Sequence, residues 1–273
     1  MKKKIVRIAS TVFPKAVASF AYNQLINPQV RKLREHELAT LDKATKEIFP
    51  FEGFDIRLYA WGSGDTKVLL IHGWEGQAGN FSDLIEELVL NDFAVYSFDA
   101  PSHGFSSKGK TSLFEFSDLV GVLIRKYDVR LLVSHSFGGV ATTYALFRNP
   151  DLVIGKYVLL TTPDAFIERI NNVSETVGIS PKVKKILIDR LESEMGLEVE
   201  NLNVRDFVKS INVKQALIIH DKNDRVIPIE RSKRVHENWK VSELKEIEGT
   251  GHFRILRTKE VIKQVVEYLK KRD

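Results

Sequence analysis

Three side chains far apart in this sequence are of the types that together perform nucleophilic catalysis by an activated serine. Ser136 lies in a Ser-His-Ser-Phe-Gly segment at 134–138, between an apolar run at 131–133 and a helical pattern that ends near Pro150. Small residues two positions before and two after Ser136 favour a tight turn in which a strand and a helix pass closely. We therefore predict that Ser136 is a nucleophile.

A serine hydroxyl needs a base to accept its proton, and the base needs a partner that fixes its tautomer. Both are expected after later strands, because the carboxyl ends of parallel strands meet at one edge of a sheet. His252 follows a strand-like run at 244–247, and the glycines beside it keep it on an exposed turn. Two acids, Asp221 and Asp224, follow the apolar run at 216–219. The residues alone leave both acids open as the partner of His252.

The residue composition excludes several other kinds of catalytic and metal site. The chain has 273 residues and no cysteine, so that a disulfide, a thiolate metal site and a cysteine nucleophile are excluded. Its seven histidines have no spacing typical of metal ligands. We therefore expect neither a metal nor a cofactor.

Positive charge is concentrated at the start of the chain. The net charge is +5, and residues 1–35 hold eight Lys and Arg against one acid, which gives this segment +7 and leaves −2 for the remainder. A basic groove for nucleic acid on the globular part is therefore not expected. No apolar run approaches the length of a membrane span, and Arg7, Pro14 and Lys15 interrupt any signal peptide. The expected location is cytoplasmic, or peripheral to a membrane.

The basic segment also carries an apolar stripe with helical spacing within residues 4–26. We expect the stripe to pack on the chain's own domain or on a second copy in a homodimer. The alternative is contact with an anionic membrane surface through residues 1–35, because basic charge and an apolar stripe act together there. The stripe consists of Ile5, Ile8, Val12, Ala16 and Phe20.

From Phe51 onward, short β-rich runs alternate with helical patterns, which predicts an α/β fold with a mostly parallel sheet flanked by helices. A further helical pattern precedes them, from about Val30 to Ile48. The strands are predicted at 54–61, 68–71, 95–98, 131–133, 157–160, 216–219 and 244–247, and the helices near 81–91, 113–127, 137–148, 230–239 and 258–271.

One long interval has only amphipathic helical patterns, which indicates an insertion. The predicted organisation is an N-terminal helical arm at 1–50, a core at 51–163 and 206–273, and a helical cap at 164–205.

From about residue 51 to 273 the chain resembles the α/β-hydrolase superfamily. His72-Gly73-Trp74 is similar to the family's His-Gly-x segment, and residues 99–106 are similar to its Asp-x-Pro-Gly-His-Gly-x-Ser turn, with Ser102 in place of a glycine. The serine motif has Ser134 where the family usually has glycine. The order Ser, Asp, His along the chain is also the one that this fold uses.

The resemblance implies an eight-stranded sheet and assigns roles. Asp224 becomes the orienting acid because the Arg-Val-Ile-Pro that follows it looks like the family's loop, with Asp164 as a minor alternative. The backbone N–H groups of Trp74 and Phe137 become the oxyanion hole, and His252 becomes the base. The cap is expected over the nucleophile.

The predicted activity is that of a carboxylesterase that hydrolyses small-molecule esters of short to medium acyl chains through an acyl-enzyme intermediate. Thioesterase, carbon–carbon bond hydrolase, acyltransferase and peptidase activities share this machinery, and a non-catalytic binding protein on the same fold is a further alternative. The residues expected to line an apolar acyl pocket are Trp74, Phe105, Phe137, Phe166, Ile170 and Leu187.

Overall fold

Near-continuous apolar runs become the inner strands of one sheet, because strands covered on both faces bury side chains on both sides. The structure is a computed structural model that describes residues 2–271, with the side chains of these residues apart from 2–5, 169, 172, 173 and 195. Its strands are β1 Thr45–Phe51, β2 Phe54–Trp61, β3 Thr66–Ile71, β4 Phe93–Phe98, β5 Leu131–His135, β6 Ile154–Leu160, β7 Val213–Asp221 and β8 Ser242–Ile247.

Within residues 2–271, these eight strands form one sheet in the order β1-β2-β4-β3-β5-β6-β7-β8. The first three strands in that order are antiparallel neighbours, and all later pairs are parallel. The parallel strands therefore present their carboxyl ends at one edge, where His72, Asp99, Ser136 and Asp221 lie at or just beyond a strand end. The predicted fold, a mostly parallel eight-stranded sheet flanked by helices, is confirmed.

Amphipathic helices connect the parallel strands and cover the sheet. The helix that precedes β5 begins at a capping box, in which the Ser112 hydroxyl accepts the N–H of Phe114 and Glu115 accepts the N–H of Ser112. The helices are α1 Lys2–Val12, α2 Pro14–Ile26, α3 Glu35–Asp42, α4 Ser82–Leu90, α5 Leu113–Tyr127, α6 Phe137–Arg148, α7 Phe166–Val177, α8 Pro181–Met195, α9 Val204–Phe207, α10 Glu230–Glu237, α11 Gly251–Arg254 and α12 Lys259–Lys270.

The prediction of helix from Val30 to Ile48 is wrong at both ends, because residues 30–34 are not helical and α3 begins only at Glu35. Helix α3 ends at Asp42, and β1 begins at Thr45. Glu52 and Gly53 both have positive φ, 46° and 81°, which is the backbone of a tight hairpin turn, and Phe51 pairs with Phe54 across it. Pairing with β2 therefore overrides the local helical spacing, and Pro50 is tolerated because β1 is an edge strand.

The chain divides into two compact units whose boundaries differ from the predicted segments. The smaller unit comprises the chain up to Asn27 together with Ala165–Asn203, and the larger unit comprises Pro28–Asp164 and the chain from Val204. The predicted arm at 1–50 is therefore split, since α3 and β1 belong to the larger unit. The helices α7 and α8 of the insertion share a unit with α1 and α2.

The smaller unit has its own hydrophobic core. The packed face of α2, which we define as Ala18, Tyr22 and Ile26, is buried, and the last two residues belong to this core. The hydroxyl of Tyr22 donates a hydrogen bond to Glu194, and the guanidinium of Arg190 lies 3.6 Å from the centre of the tyrosine ring. The other buried core members are Ile170, Leu187, Leu191 and Val199.

Of the two packings expected for the predicted apolar stripe, packing on the chain's own domain is wrong for its described members, and packing on a second copy stays a prediction. Ile8, Val12, Ala16 and Phe20 are all exposed, and the side chain of Ile5 lies outside the described residues. The packed face of α2 holds the helix in place instead. Among residues 2–271, no helix has the length and apolarity that crossing a bilayer requires.

Candidate active site

Ser136 occupies a strained turn between β5 and α6. Its φ and ψ are 53° and −122°, a conformation that residues with a Cβ rarely adopt. Its N–H donates to Leu160 O at 3.0 Å, which ties the turn to the neighbouring strand β6. The strain lifts the hydroxyl off the strand end, so that the side chain is partly exposed.

Close passage of β3 and α6 beneath this turn requires glycine at 138. A Cβ added there would lie 2.5 Å from His72 O, a backbone atom that cannot yield. Ser134, in contrast, is not among the residues with positive φ, and its buried hydroxyl is hydrogen-bonded to that of Tyr157 at 2.7 Å. A serine in place of glycine at 134 therefore costs no backbone strain.

The structure brings the three predicted catalytic side chains together. His252 Nε2 lies 3.1 Å from Ser136 Oγ, and His252 Nδ1 lies 2.9 Å from Asp224 Oδ2. With Nδ1–H donating to the carboxylate, Nε2 is left as the acceptor for the serine proton. The arrangement can activate a hydroxyl and then stabilise the imidazolium that forms.

Asp224 is held as a carboxylate. Burial alone would raise its pKa, but hydrogen bonds from His220 and His252 and from the Ile227 N–H together hold that pKa well below its usual range. Its Oδ1 accepts the N–H groups of Val226 and Ile227 at 2.7 and 3.0 Å. The negative charge is therefore fixed in position beside the imidazole.

Asp221, the alternative acid, binds the backbone of the loop that precedes His252 and does not bind the imidazole ring. Its Oδ2 accepts the Gly251 N–H at 2.8 Å and both the N–H and the hydroxyl of Thr250, while Oδ1 accepts the Asn223 N–H at 2.7 Å. Burial would raise the pKa of Asp221, but these donors lower it. Sequence reasoning missed this role, although an acid at the very end of a buried strand was a signal for it.

A buried carboxylate at the end of β4 was also missed. Asp99 accepts the N–H groups of Ala78 and Phe105, both at 2.8 Å, and the hydroxyl of Tyr59 at 3.0 Å. Burial raises the pKa of Asp99 despite these donors. The carboxylate thus joins the loops that follow β3 and β4, and Trp74 lies in the first of these loops.

The two predicted oxyanion donors lie beside the nucleophile. A Cβ added at Gly73 would come within 3.2 Å of Ser136 Cβ, so the segment that carries Trp74 runs next to the serine. Phe137 is the first residue of α6, where backbone N–H groups have no partner within the helix. Within residues 2–271, the N–H groups of Trp74 and Phe137 donate to no other group. Both are therefore available to an oxyanion, and the role stays a prediction.

The histidines around the site are neutral supports. His72 accepts the Ala100 N–H at Nε2 and donates from Nδ1 to Gly73 O, so its tautomer is fixed. His135 donates from Nε2 to His252 O at 2.9 Å. Burial lowers the pKa of His72 far below its usual value, that of His135 to about 3 and that of His103 to about 4.

Three of the six predicted substrate-binding residues lie in the larger unit. The rings of Trp74 and Phe137 pack edge to face, with their centres 5.1 Å apart, and Phe137 directly follows Ser136 in the chain. Phe105 lies on the turn after β4, and 56% of its surface is exposed. Phe253, which was not predicted, packs on the His252 ring at 4.8 Å and is also exposed.

The other three predicted substrate-binding residues lie in the smaller unit. Ile170 and Leu187 are buried in that unit's own core, and Phe166 is partly buried against it. Their role in binding an acyl chain stays a prediction.

Asp164, the minor alternative acid, is engaged elsewhere. Its buried carboxylate accepts hydrogen bonds from Arg205 at 3.1 Å and from Arg234 at 2.5 Å. Among the described side chains, no group of three His, Asp or Glu residues is arranged to hold a metal ion.

Comparison with known proteins gives one family and distant relatives. The family model described as the alpha/beta hydrolase family matches residues 68–189. An uncharacterized hydrolase (YugF) of Bacillus subtilis is 25% identical over 234 residues, which cover 69% of this chain and 84% of that one. The pimeloyl-[acyl-carrier protein] methyl ester esterase of Yersinia enterocolitica is 27% identical over 140 residues, about half (51%) of each chain. The solved esterase EaEST from Exiguobacterium antarcticum has a TM-score of 0.65 at 18% identity, covering 83% of this chain and 99% of that one.

Proposed function

Because the chain belongs to the α/β-hydrolase superfamily and joins a serine hydroxyl, an imidazole and a carboxylate by hydrogen bonds, we propose that it is a serine hydrolase of carboxylic esters. The observation that carries this proposal is the distance of 3.1 Å between His252 Nε2 and the Oγ of Ser136, whose backbone is strained. An ester bond is favoured because an alcohol leaves more readily than an amine. Two of the relatives are named as esterases, which supports the same choice.

In the proposed reaction, Ser136 Oγ attacks the ester carbonyl while His252 Nε2 takes the hydroxyl proton. Asp224 stabilises the imidazolium, and the N–H groups of Trp74 and Phe137 stabilise the oxyanion. His252 then gives the proton to the departing alcohol, which leaves an acyl group on Ser136. Water, deprotonated by His252, attacks that acyl group. The bond between the acyl carbon and Ser136 Oγ then breaks, the acid is released, and His252 returns the proton to Ser136 Oγ.

We further propose that the preferred acyl chains are short to medium in length. The supporting observation is that aromatic residues adjoin the catalytic ones in the chain: Phe137 follows Ser136 and packs against Trp74, and Phe253 follows His252 and packs on its ring. Such rings bind a hydrocarbon chain by burying it. A series of p-nitrophenyl esters with two to sixteen acyl carbons tests this, and a maximum of kcat/KM at sixteen carbons would contradict it.

The decisive experiment is labelling by a fluorophosphonate, which reacts only with an activated serine. We expect labelling and ester turnover in the wild type, and a loss of turnover of about 10⁴-fold in both Ser136→Ala and His252→Ala. Ser134→Ala is the matched control, because this serine lies two residues away with its buried hydroxyl bonded to Tyr157.

Labelling that persists in Ser136→Ala would refute the assignment of the nucleophile. A wild type that is folded but takes no label would favour a non-catalytic protein. A labelled enzyme that cleaves thioesters or amides faster than matched oxygen esters would keep the nucleophile and overturn the ester proposal.

A further inference from the structure

The smaller unit exposes four large apolar side chains from α1 to the middle of α2. We define the arm stripe as Ile8, Val12, Phe13 and Phe20. Their side chains are 66%, 60%, 65% and 66% exposed. Single exposed apolar residues are ordinary, but four on two consecutive helical segments are not.

The geometry of α2 explains why Phe13 and Phe20 stay outside. Phe20 lies within α2, and Phe13 is the N-cap residue just before it, with its carbonyl accepting the Val17 N–H at 3.1 Å. At 100° per residue, positions seven apart return to nearly the same side of a helix, so Phe20 lies on the side of α2 at which Phe13 precedes it. The packed face of α2 lies on the opposite side, where it is buried against α8 and the rest of the unit's core. The helix therefore has two apolar faces, and the fold of the unit uses one of them.

Helix α1 repeats the pattern. Ile8 and Val12 are four residues apart on one exposed face, while Ser10 is fully buried on the other side. The carbonyl of Ser10 accepts the hydroxyl of Ser180, at the start of α8, at 3.3 Å. The exposed face is thus fixed outward by contacts within the unit.

The charge around the arm stripe has one sign. Residues 1–34 contain no Asp or Glu, and the side chains of Arg7 and Lys15 are exposed. The sequence places Lys2, Lys3 and Lys4 immediately before them. Basic charge beside an outward apolar face is the combination that binds an anionic lipid surface.

We propose that the arm stripe docks on the surface of an anionic lipid bilayer, with the apolar side chains at the acyl boundary and the basic side chains at the headgroups. This proposal does not rest on the proposed hydrolase activity. A second copy of the chain is a poorer occupant, because it would bring an equally basic arm against the first and the like charges would repel.

Point substitutions are the appropriate test. Deletion of the arm would also remove Tyr22 and Ile26 from the core of the smaller unit and unfold it. The apolar variant is Phe13→Ser/Phe20→Ser, and the charge variant is Arg7→Gln/Lys15→Gln. The matched control is Ile48→Ser/Leu90→Ser, which removes apolar residues that are 55% and 78% exposed on the larger unit.

Binding is measured by co-sedimentation of the full chain with vesicles of phosphatidylcholine containing 30% phosphatidylglycerol, and with pure phosphatidylcholine vesicles. We expect binding to the anionic vesicles that falls with added salt and is much weaker on the neutral ones. The apolar variant should bind about tenfold less per phenylalanine, and the charge variant about fivefold less per charge. The control should bind as the wild type does. Circular dichroism melting confirms that each variant is folded.

Two results would overturn the proposal. One is equal sedimentation of the wild type and both folded arm variants with the anionic vesicles. The other is a wild-type dimer in light scattering that Phe13→Ser/Phe20→Ser converts to a monomer while vesicle binding is unchanged, which would assign the arm stripe to self-association.

Discussion

Replacing Asp224 with asparagine tests the site most sharply, because the two oxygens of this carboxylate have different partners. Oδ1 accepts two backbone N–H groups, those of Val226 and Ile227, and Oδ2 accepts His252 Nδ1–H. Asparagine has one acceptor oxygen. The two backbone donors hold Oδ1 at 2.7 and 3.0 Å, whereas Oδ2 has the 2.9 Å bond from His252 and only a longer, 3.5 Å contact with His220 Nε2. We therefore expect the oxygen to stay on the backbone donors and the amide NH₂ to turn toward His252.

An NH₂ group can only donate, so Nδ1 of His252 becomes the unprotonated nitrogen and the ring proton moves to Nε2. Nε2 is the atom 3.1 Å from Ser136 Oγ, and once protonated it cannot take the serine proton. We expect kcat for a short p-nitrophenyl ester to fall about 10⁴-fold, which corresponds to about 5.4 kcal/mol of barrier, with little change in folding.

Asp221→Asn, three residues earlier, is the matched control. Its remaining oxygen stays on Thr250 and Gly251, and the amide faces the Asn223 N–H, so that about one hydrogen bond is lost. We expect a loss of about 1–3 kcal/mol in the free energy of unfolding, with kcat within about tenfold of the wild type. A near-normal kcat in Asp224→Asn would refute the assignment of Asp224 as the partner of His252. So would a folded Asp221→Asn that loses as much activity as Asp224→Asn does.

Three further predictions concern strain, packing and acid stability. The free energy of unfolding in urea should be about 1 kcal/mol higher for Ser136→Gly than for Ser136→Ala, because only glycine adopts the φ of 53° without strain. Equal stability of the two variants would contradict this. Gly138→Ala should lower kcat/KM at least 100-fold, since its Cβ would meet His72 O at 2.5 Å, whereas Gly155→Ala, whose Cβ would lie 3.4 Å from Arg130 O, should be mild. Burial lowers the pKa of His135 to about 3 in the folded protein. Between about pH 6.5 and pH 3, the unfolded chain therefore binds a proton at His135 that the folded protein does not bind. The free energy of unfolding falls as the pH drops through this range. His135→Gln should reduce that slope, measured by urea unfolding between pH 6 and 4, by up to about 1.4 kcal/mol per pH unit, and an unchanged slope would contradict the assignment.

Much of the larger unit is predictable because its inner strands are buried on both faces. Such strands have near-continuous apolar sequences, and the strands predicted at 131–133 and 157–160 lie within β5 and β6. The strand at 54–61, predicted from its alternating pattern, matches β2 to the residue. The helix predicted at 113–127 likewise matches α5. Strand β1 was not predicted because its side chains are mostly exposed and its apolar and polar residues alternate only weakly. Only its pairing with β2 in a hairpin defines it.

The positions of Asp224 and His252 after predicted strands also indicated that they would approach Ser136, because the carboxyl ends of parallel strands meet at one edge of the sheet. The sequence could not separate the work of Asp221 from that of Asp224, because both follow the same strand and only their hydrogen-bond partners differ. The sequence likewise could not predict which face of α2 would be exposed. A helix with two apolar faces does not reveal which of them its distant partners will cover.

The shared core of α2 and α8 has a consequence for the order in which the protein forms during synthesis. The core that buries Tyr22 and Ile26 is completed by Ile170, Leu187, Leu191 and Val199, which follow Ile26 in the chain by 144 residues or more. At the usual rate of about 5–20 residues per second, the ribosome needs on the order of 10–30 s to make that stretch. Until α8 emerges, the packed face of α2 is therefore exposed on the nascent chain together with the outward face, and α8 then covers the packed face alone.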